Sequence, residues 1–121
     1  SLHILSNDAT RGIITAADLA RMKPTALLVN TSRAGLIADG ALVDALKKGR
    51  PGFGAIDVYE DEPLVGGNHP LLKMPNVVCT PHLGYVEAGT YESYYGTVVD
   101  SILGYAAGKP VNILNPEVLG K

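Results

Sequence analysis

Three stretches of this 121-residue chain are apolar without alternation: ALLV at 26–29, GAIDV at 54–58 and NVVCT at 76–80. A strand with one wet face alternates, because successive side chains point to opposite sides of the sheet. Unbroken apolar strands belong to a sheet covered on both faces, and such sheets are mostly parallel. Parallel neighbours need long crossovers, so helices are expected between them. LHIL at 2–5 reads as a further strand at the front, followed by the turn-forming run NDATRG.

The intervening segments fit. Thr15 is placed to cap a short helix, TAADLARM, with Leu19 and Met22 on one face, ended by Lys23 and Pro24. Asp39 opens a second helix, DGALVDALKKG, whose stripe is Leu42, Val43 and Leu46, with Lys47 and Lys48 at its negative end and Gly49 as a stop. A long helical pattern over 87–107 sets Tyr91, Tyr94 or Tyr95, Val98, Ile102 and Tyr105 or Ala106 along one side. Gly89, Gly96 and Gly104 each weaken it by about 1 kcal/mol relative to alanine. Gly108 and Pro110 close it, and the tail VNILNPEVLGK shows no period.

The expected architecture is α/β: a parallel-sheet, Rossmann-like half domain of about four strands over residues 1–85, then a long helix and tail over 86–121. Because the chain opens directly on a strand, the expectation is a piece of a larger protein, with Leu2–Leu5 left as a raw sheet edge that recruits partners, hence a homo-oligomer. A composition of 46% hydrophobic and 18% charged residues argues against disorder. The formal net charge of −2 gives no electrostatic reason for nucleic acid or an anionic membrane as partner. The lone Cys79 excludes an internal disulfide framework, and with no long apolar run or signal peptide the expected compartment is the cytoplasm. Cys79 reads as a small core residue, and His3 and His69 as ordinary strand and loop residues.

In an open parallel sheet, ligands bind beyond the carboxyl ends of the strands. Asn30, Thr31, Ser32 and Arg33 follow one strand, Asp57, Glu60, Asp61 and Glu62 lie in or after the next, and Thr80, Pro81 and His82 follow the last. An arginine, a carboxylate and a histidine therefore share one rim. A carboxylate fixes which nitrogen of a neighbouring imidazole faces a substrate and stabilises its charged form, so the histidine can exchange a proton with a carbonyl or hydroxyl oxygen. A guanidinium holds a carboxylate through two parallel hydrogen bonds. Together they suit interconversion of a 2-hydroxy acid and a 2-oxo acid, with the hydride from another carrier.

These residues also resemble a known family. MKPTALLVNTSRAGLIADGALVDAL, GAIDVYEDEP and NVVCTPHLGY, with ATRGIITAADLARMKP ahead of them, are similar to the arginine, Asp-and-Glu and histidine segments of the D-isomer-specific 2-hydroxyacid dehydrogenases. The resemblance implies that Arg33 binds the substrate carboxylate and carbonyl, Glu62 partners His82, and His82 is the acid/base. It also implies that Asp57 accepts from a nicotinamide amide, and that Thr31, Ser32, His82 and the segment through Asn7 line the cofactor. Two positions depart from the family: Ala34 follows the arginine where Gly is usual, and Leu5 replaces a proline. The cofactor implied is NAD or NADP, NAD favoured, yet the G-x-G-x-x-G fingerprint is missing. GFG at 52–54 precedes a strand and reads as a turn. The chain alone is expected to be inactive. Rival readings are a non-enzymatic, NAD-sensing corepressor-like member of the fold, a metal site at Asp57, Glu60, Asp61 and Glu62, whose spacing lacks a regular oxygen-ligand pattern, and a bare dimerisation module.

Overall fold

The computed structural model describes residues 1–119, so the last two residues of the tail lie outside the described residues. The elements are α1 (Ala16–Ala20), β1 (Leu27–Asn30), α2 (Ala41–Lys47), β2 (Phe53–Ile56), β3 (Val77–Cys79) and α3 (Ala88–Ala106). Single 3-10 turns lie at Ala34–Leu36, Pro70–Lys73 and Pro116–Val118. The chain divides into two units, Ser1–Gly84 and a second beginning at Tyr85.

In the first unit the three strands are parallel in the order β1-β2-β3, with Asn30, Ile56 and Cys79 on one rung. The fourth strand expected at Leu2–Leu5 is reduced to a single bridge, in which the Leu2 N–H donates to the Val29 carbonyl at 3.1 Å. Side chains take the carbonyls that a ladder would use. Ser32 Oγ donates to the Ile4 carbonyl at 3.1 Å, and Thr10 Oγ1 to the Leu5 carbonyl at 2.6 Å. Asn7 then turns the chain by accepting from the Ala9 and Thr10 N–H groups.

α1 starts with the expected Thr15 cap, in a full capping box: Thr15 Oγ1 accepts from the Asp18 N–H while the Thr15 N–H donates to Asp18 Oδ2 at 2.9 Å. The Thr15 hydroxyl, which donates to Asp18 Oδ2 at 2.6 Å, and the Thr15 N–H hold the Asp18 carboxyl below the ordinary carboxylate range. α2 starts later than expected. Its N-cap is Gly40 at φ 70°, a left-handed conformation, and Asp39 does not cap it. The buried face of α2 is Ala41, Leu42, Ala45 and Leu46, with Val43 only half-buried. β2 begins one residue before the expected strand, so Phe53 and Gly54 of the GFG run are strand, not turn. Gly52 is obligatory: a Cβ there would sit 1.7 Å from the Pro24 carbonyl oxygen.

Both helices lie against one face of the sheet, where Leu28, Ile56, Leu19 and Leu46 build the core. Successive right-handed crossovers running one way across a sheet place their helices on the same side. Within this unit the other face stays open, with Leu27, Phe53 and Val78 exposed; the two-sided cover expected from unbroken apolar strands is present on one side only.

In the second unit, α3 is capped by Glu87, whose carboxylate accepts from the Thr90 N–H at 2.7 Å and is held below the ordinary range by the Thr90 hydroxyl and N–H. Its tyrosine-rich stripe forms as expected in sequence but none of its side chains is buried. One of its three glycines is explained by close approach: a Cβ on Gly104 would lie 2.9 Å from the Lys109 carbonyl.

Candidate active site

The ladder continues past each strand end by one more bond. Asp57 N–H donates to the Asn30 carbonyl and Thr80 N–H to the Ile56 carbonyl, each at 3.0 Å. Asp57 and Thr80 are therefore delivered to the same lip of the sheet. Asp57 is 2% exposed, and its carboxylate accepts from Thr80 Oγ1, the Leu83 N–H at 2.7 Å and the Gly84 N–H at 2.7 Å. Burial alone would raise this carboxyl, but the three donors, helped by the charge of His82, hold it below the ordinary carboxylate range. In this arrangement Asp57 is a peg for the chain on either side of His82. His82 itself stands at φ 59°, a left-handed conformation rare outside glycine and of a kind that collects at functional sites.

Glu62 reaches the same histidine from the loop after β2. Glu62 Oε2 lies 2.6 Å from His82 Nδ1, and Glu62 Oε1 accepts from the Tyr59 N–H at 2.6 Å. Partial burial pushes the Glu62 carboxyl up, and the bonds to His82 and Tyr59, with the charges of His82 and Arg33, more than reverse it. With Nδ1 held by the carboxylate, exchange of a proton with a bound molecule falls to Nε2. The pair is about one-third exposed, so a small molecule can reach it.

Arg33 is carried on the loop after β1. Buried Asn30, 1% exposed, fixes that loop by donating from Nδ2 to the Arg33 carbonyl and accepting at Oδ1 from the Ser32 N–H, both at 3.0 Å. Arg33 is exposed, donates from Nη1 to the Ser32 carbonyl at 2.6 Å, and its charge is felt at Glu62. The structure thus joins Glu62 to His82 directly and sets Arg33 within electrostatic reach of Glu62, without an ion pair between them.

A cavity of about 590 Å³ adjoins the pair, lined by Tyr59, Pro63, Leu72, Cys79 and Pro81 beside Glu62 and His82. Cys79, expected in the core, lies half-buried against its edge and also lines this cavity. The Tyr59 hydroxyl donates toward the Ile56 and Thr80 carbonyls, each at 3.2 Å, and burial pushes its pKa far above that of an ordinary tyrosine. Asn30, Tyr59 and Thr80 shape this site as much as the three rim residues do. Asn30 and Thr80 carried a signal, a polar residue ending an apolar strand; Tyr59 carried none.

The remaining sequence candidates are less gathered. Ser32 hydrogen-bonds the Ile4 carbonyl, Asn7 Oδ1 is engaged in its own turn, and Thr31 is exposed at the rim. Gly84 closes that rim: a Cβ there would lie 3.0 Å from both Asp57 Oδ2 and Thr31 Cβ. Exposed hydroxyls beside bare backbone suit the flat, amide-bearing end of a nicotinamide nucleotide. The pyrophosphate end finds no match among the described residues, because the GFG run leads into β2 instead of linking a strand to a helix. Among the described residues no group of three or more His, Cys, Asp or Glu side chains is placed to hold a metal ion.

Residues 1–84 match the family model described as D-isomer specific 2-hydroxyacid dehydrogenase, NAD binding domain. The chain is 40% identical to a glyoxylate reductase of Aeropyrum pernix over 98% of its own length and 36% of that protein's. A phosphoglycerate oxidoreductase structure from Vibrio cholerae O395 superposes with a TM-score of 0.79 at 48% identity, covering 88% of this chain and 34% of that one. A D-isomer specific 2-hydroxyacid dehydrogenase from Xanthobacter autotrophicus Py2, solved with NADPH and MES, gives a TM-score of 0.65 at 33% identity, over 90% of this chain and 44% of that one. The chain thus spans about a third of the length of the curated relatives it matches. It belongs to the D-isomer specific 2-hydroxyacid dehydrogenase family, through that family's NAD-binding domain.

Proposed function

We propose that this chain supplies the proton-transfer half of an oxidoreductase that interconverts a small D-2-hydroxy acid and the corresponding 2-oxo acid. The observation that carries the reading is the 2.6 Å contact between His82 Nδ1 and Glu62 Oε2, made by side chains from two different strand ends. A nicotinamide cofactor, NAD or NADP, supplies and accepts the hydride when bound. Thr31, Ser32, Gly84 and the Asn7 turn would hold its nicotinamide end.

His82 Nε2 gives a proton to the carbonyl oxygen of the 2-oxo acid as that oxygen becomes a hydroxyl, and takes it back in the reverse direction. Glu62 fixes the ring orientation and stabilises the imidazolium that the reverse direction forms. Arg33 pairs with the substrate carboxylate, orienting C2 toward the cofactor, and its fork suits two-point contact better than a lysine would. Asp57 keeps the His82 backbone in its left-handed conformation through the Leu83 and Gly84 amides.

The substrate class rests on the glyoxylate reductase and phosphoglycerate oxidoreductase relatives. No described helix is long and apolar enough to cross a membrane, and a free Cys79 suits the reducing cytoplasm. The test uses a polypeptide of the family's usual length that carries this chain, assayed against a panel of 2-oxo acids with NADH and with NADPH. Turnover that falls about 100-fold or more in His82→Gln supports the reading. No turnover of any 2-oxo acid, with cofactor still bound, favours a nucleotide-sensing role instead.

A further inference from the structure

His69 looked unremarkable in the sequence, yet it makes three contacts at once. Nδ1 accepts from the Leu71 N–H at 3.3 Å, capping the 3-10 turn Pro70–Lys73. With Nδ1 accepting, the ring proton sits on Nε2, which lies 3.0 Å from Glu60 Oε2. The ring also packs edge-on against Tyr59, centroids 5.3 Å apart. Tyr59 is the residue whose N–H holds Glu62 Oε1 and whose hydroxyl reaches the Thr80 carbonyl, two residues before His82.

The Glu60–His69 bond closes the loop that carries Glu62. Apart from the bonds Glu62 itself makes to the Tyr59 N–H and His82, and the packing of Leu64 on the core, that loop is tied between Glu60 and His69 by two local turns, Val65 N–H to the Pro63 carbonyl and Gly67 N–H to the Leu64 carbonyl. We infer that His69 is a positioning residue: through Glu60 on one side and Tyr59 on the other, it clamps the loop that presents the Glu62 carboxylate to His82. The inference rests on the reading of Glu62 and His82 as the proton-transferring pair. One hydrogen bond to a well-exposed carboxylate adds little global stability. Its effect here is local, because the two tied residues flank a carboxylate that must stay within hydrogen-bond distance of an imidazole.

The readout is the Glu62 carboxyl itself, followed by carbon-detected NMR as the pH is lowered. The charged groups around it are His82 after β3, Arg33 after β1, Asp57 at the end of β2, and Glu60 and Asp61 on its own loop. Glu60→Ala is the first variant, because Glu60 is well exposed and its loss spares the fold. Deleting a neighbouring negative charge by itself lowers the Glu62 midpoint; loss of the clamp frees Glu62 from His82 and the Tyr59 N–H and raises it. The opposed signs separate the two effects, and a rise toward the ordinary carboxylate range is expected.

Two substitutions of His69 divide its contacts. His69→Gln keeps a donor in reach of Glu60, whereas His69→Asn keeps the acceptor for Leu71 and loses Glu60. The midpoint should stay at the wild-type value in His69→Gln and rise in His69→Asn. A Glu62 midpoint in Glu60→Ala that is unchanged or lower overturns the clamp, as does identical behaviour of the Gln and Asn variants. If His69→Asn loses its dispersed amide spectrum, Glu60→Ala decides alone. A polypeptide of family length that turns over 2-oxo acids while the Glu62 midpoint stays put rejects the clamp and spares the proposed function; a moved midpoint without turnover rejects the function and spares the clamp.

Discussion

Asp57→Asn is the most informative single change, because it alters one atom's chemistry at a position 2% exposed. The wild-type carboxylate takes Thr80 Oγ1 and the Leu83 N–H on one oxygen and the Gly84 N–H on the other. An asparagine must point its NH₂ at one of those sides. Facing Gly84, it meets an N–H head-on; facing Leu83, it meets another, although the Thr80 hydroxyl can rotate to accept. Either way one charge-assisted bond is lost and one amide is stranded, costing roughly 1.5–3 and 1–3 kcal/mol respectively. Release of His82 from its left-handed backbone returns about 1 kcal/mol. The net destabilisation is therefore about 3 kcal/mol, a factor of roughly 150 in the folded-to-unfolded ratio at neutral pH.

Urea unfolding of wild type and variant, with unchanged slope, measures it. The pH dependence has a fixed sign. The Asp57 carboxyl is depressed in the folded state, so its contribution is fully present above the unfolded aspartate value of about 3.9 and disappears as pH falls through the folded value. The gap between wild type and Asp57→Asn should narrow below that value, where the wild-type carboxyl is also protonated. A gap under about 1 kcal/mol at neutral pH, or one that does not change on acidification, would refute the account of Asp57 as an ionised peg.

Three further outcomes follow from the same structure. Thr15→Ala removes the hydroxyl arm of the capping box, leaving the backbone N–H of residue 15 on Asp18 Oδ2, and should lower stability by about 1 kcal/mol, read from the urea midpoint. In a polypeptide of family length, Arg33→Lys should raise KM for the 2-oxo acid about tenfold or more, with a smaller change in kcat, because a point charge replaces a two-point carboxylate clamp; steady-state kinetics with the oxo acid varied decides it. Titration calorimetry of the 121-residue chain with NADH should give binding weaker than micromolar, since the rim offers the nicotinamide end no pyrophosphate cradle; micromolar affinity contradicts that reading of the rim.

What the sequence made legible was whatever depended on local chemistry. The Thr15 cap, the α3 span to within a residue at each end, and the placing of Arg33, Glu62 and His82 just beyond three strand ends all follow from hydrophobic period, caps and the rule for open parallel sheets. Competition between donors for the same carbonyl was not legible. Leu2–Leu5 has strand composition, but Ser32 and Thr10, distant in sequence or across a turn, take its carbonyls. Asp39 looks like a cap, but the left-handed Gly40 starts the helix one residue later. His69 and Tyr59 carried no sequence signal because their importance lies in whom they touch: a ring pair and two carboxylates assembled by a loop with no period at all.

The site also depends on register in a way that ties fold to chemistry. Asn30, Ile56 and Cys79 share a rung, so the next residues, Thr31, Asp57 and Thr80, emerge together at the lip. In β2, a slip of one residue would exchange Asp57 for Ile56 or Val58 and put an apolar side chain where three donors converge. The buried Ile56 and Val58 on either side make that slip costly, because it would turn both off the positions where they are now covered. The hydrophobic core that fixes the strand register is thus the same device that aims Asp57 at the amides of Leu83 and Gly84, and through them holds His82 where Glu62 can reach it. A polar ending on an apolar strand is cheap to evolve by single substitutions; the register that makes such an ending useful is set by every residue behind it.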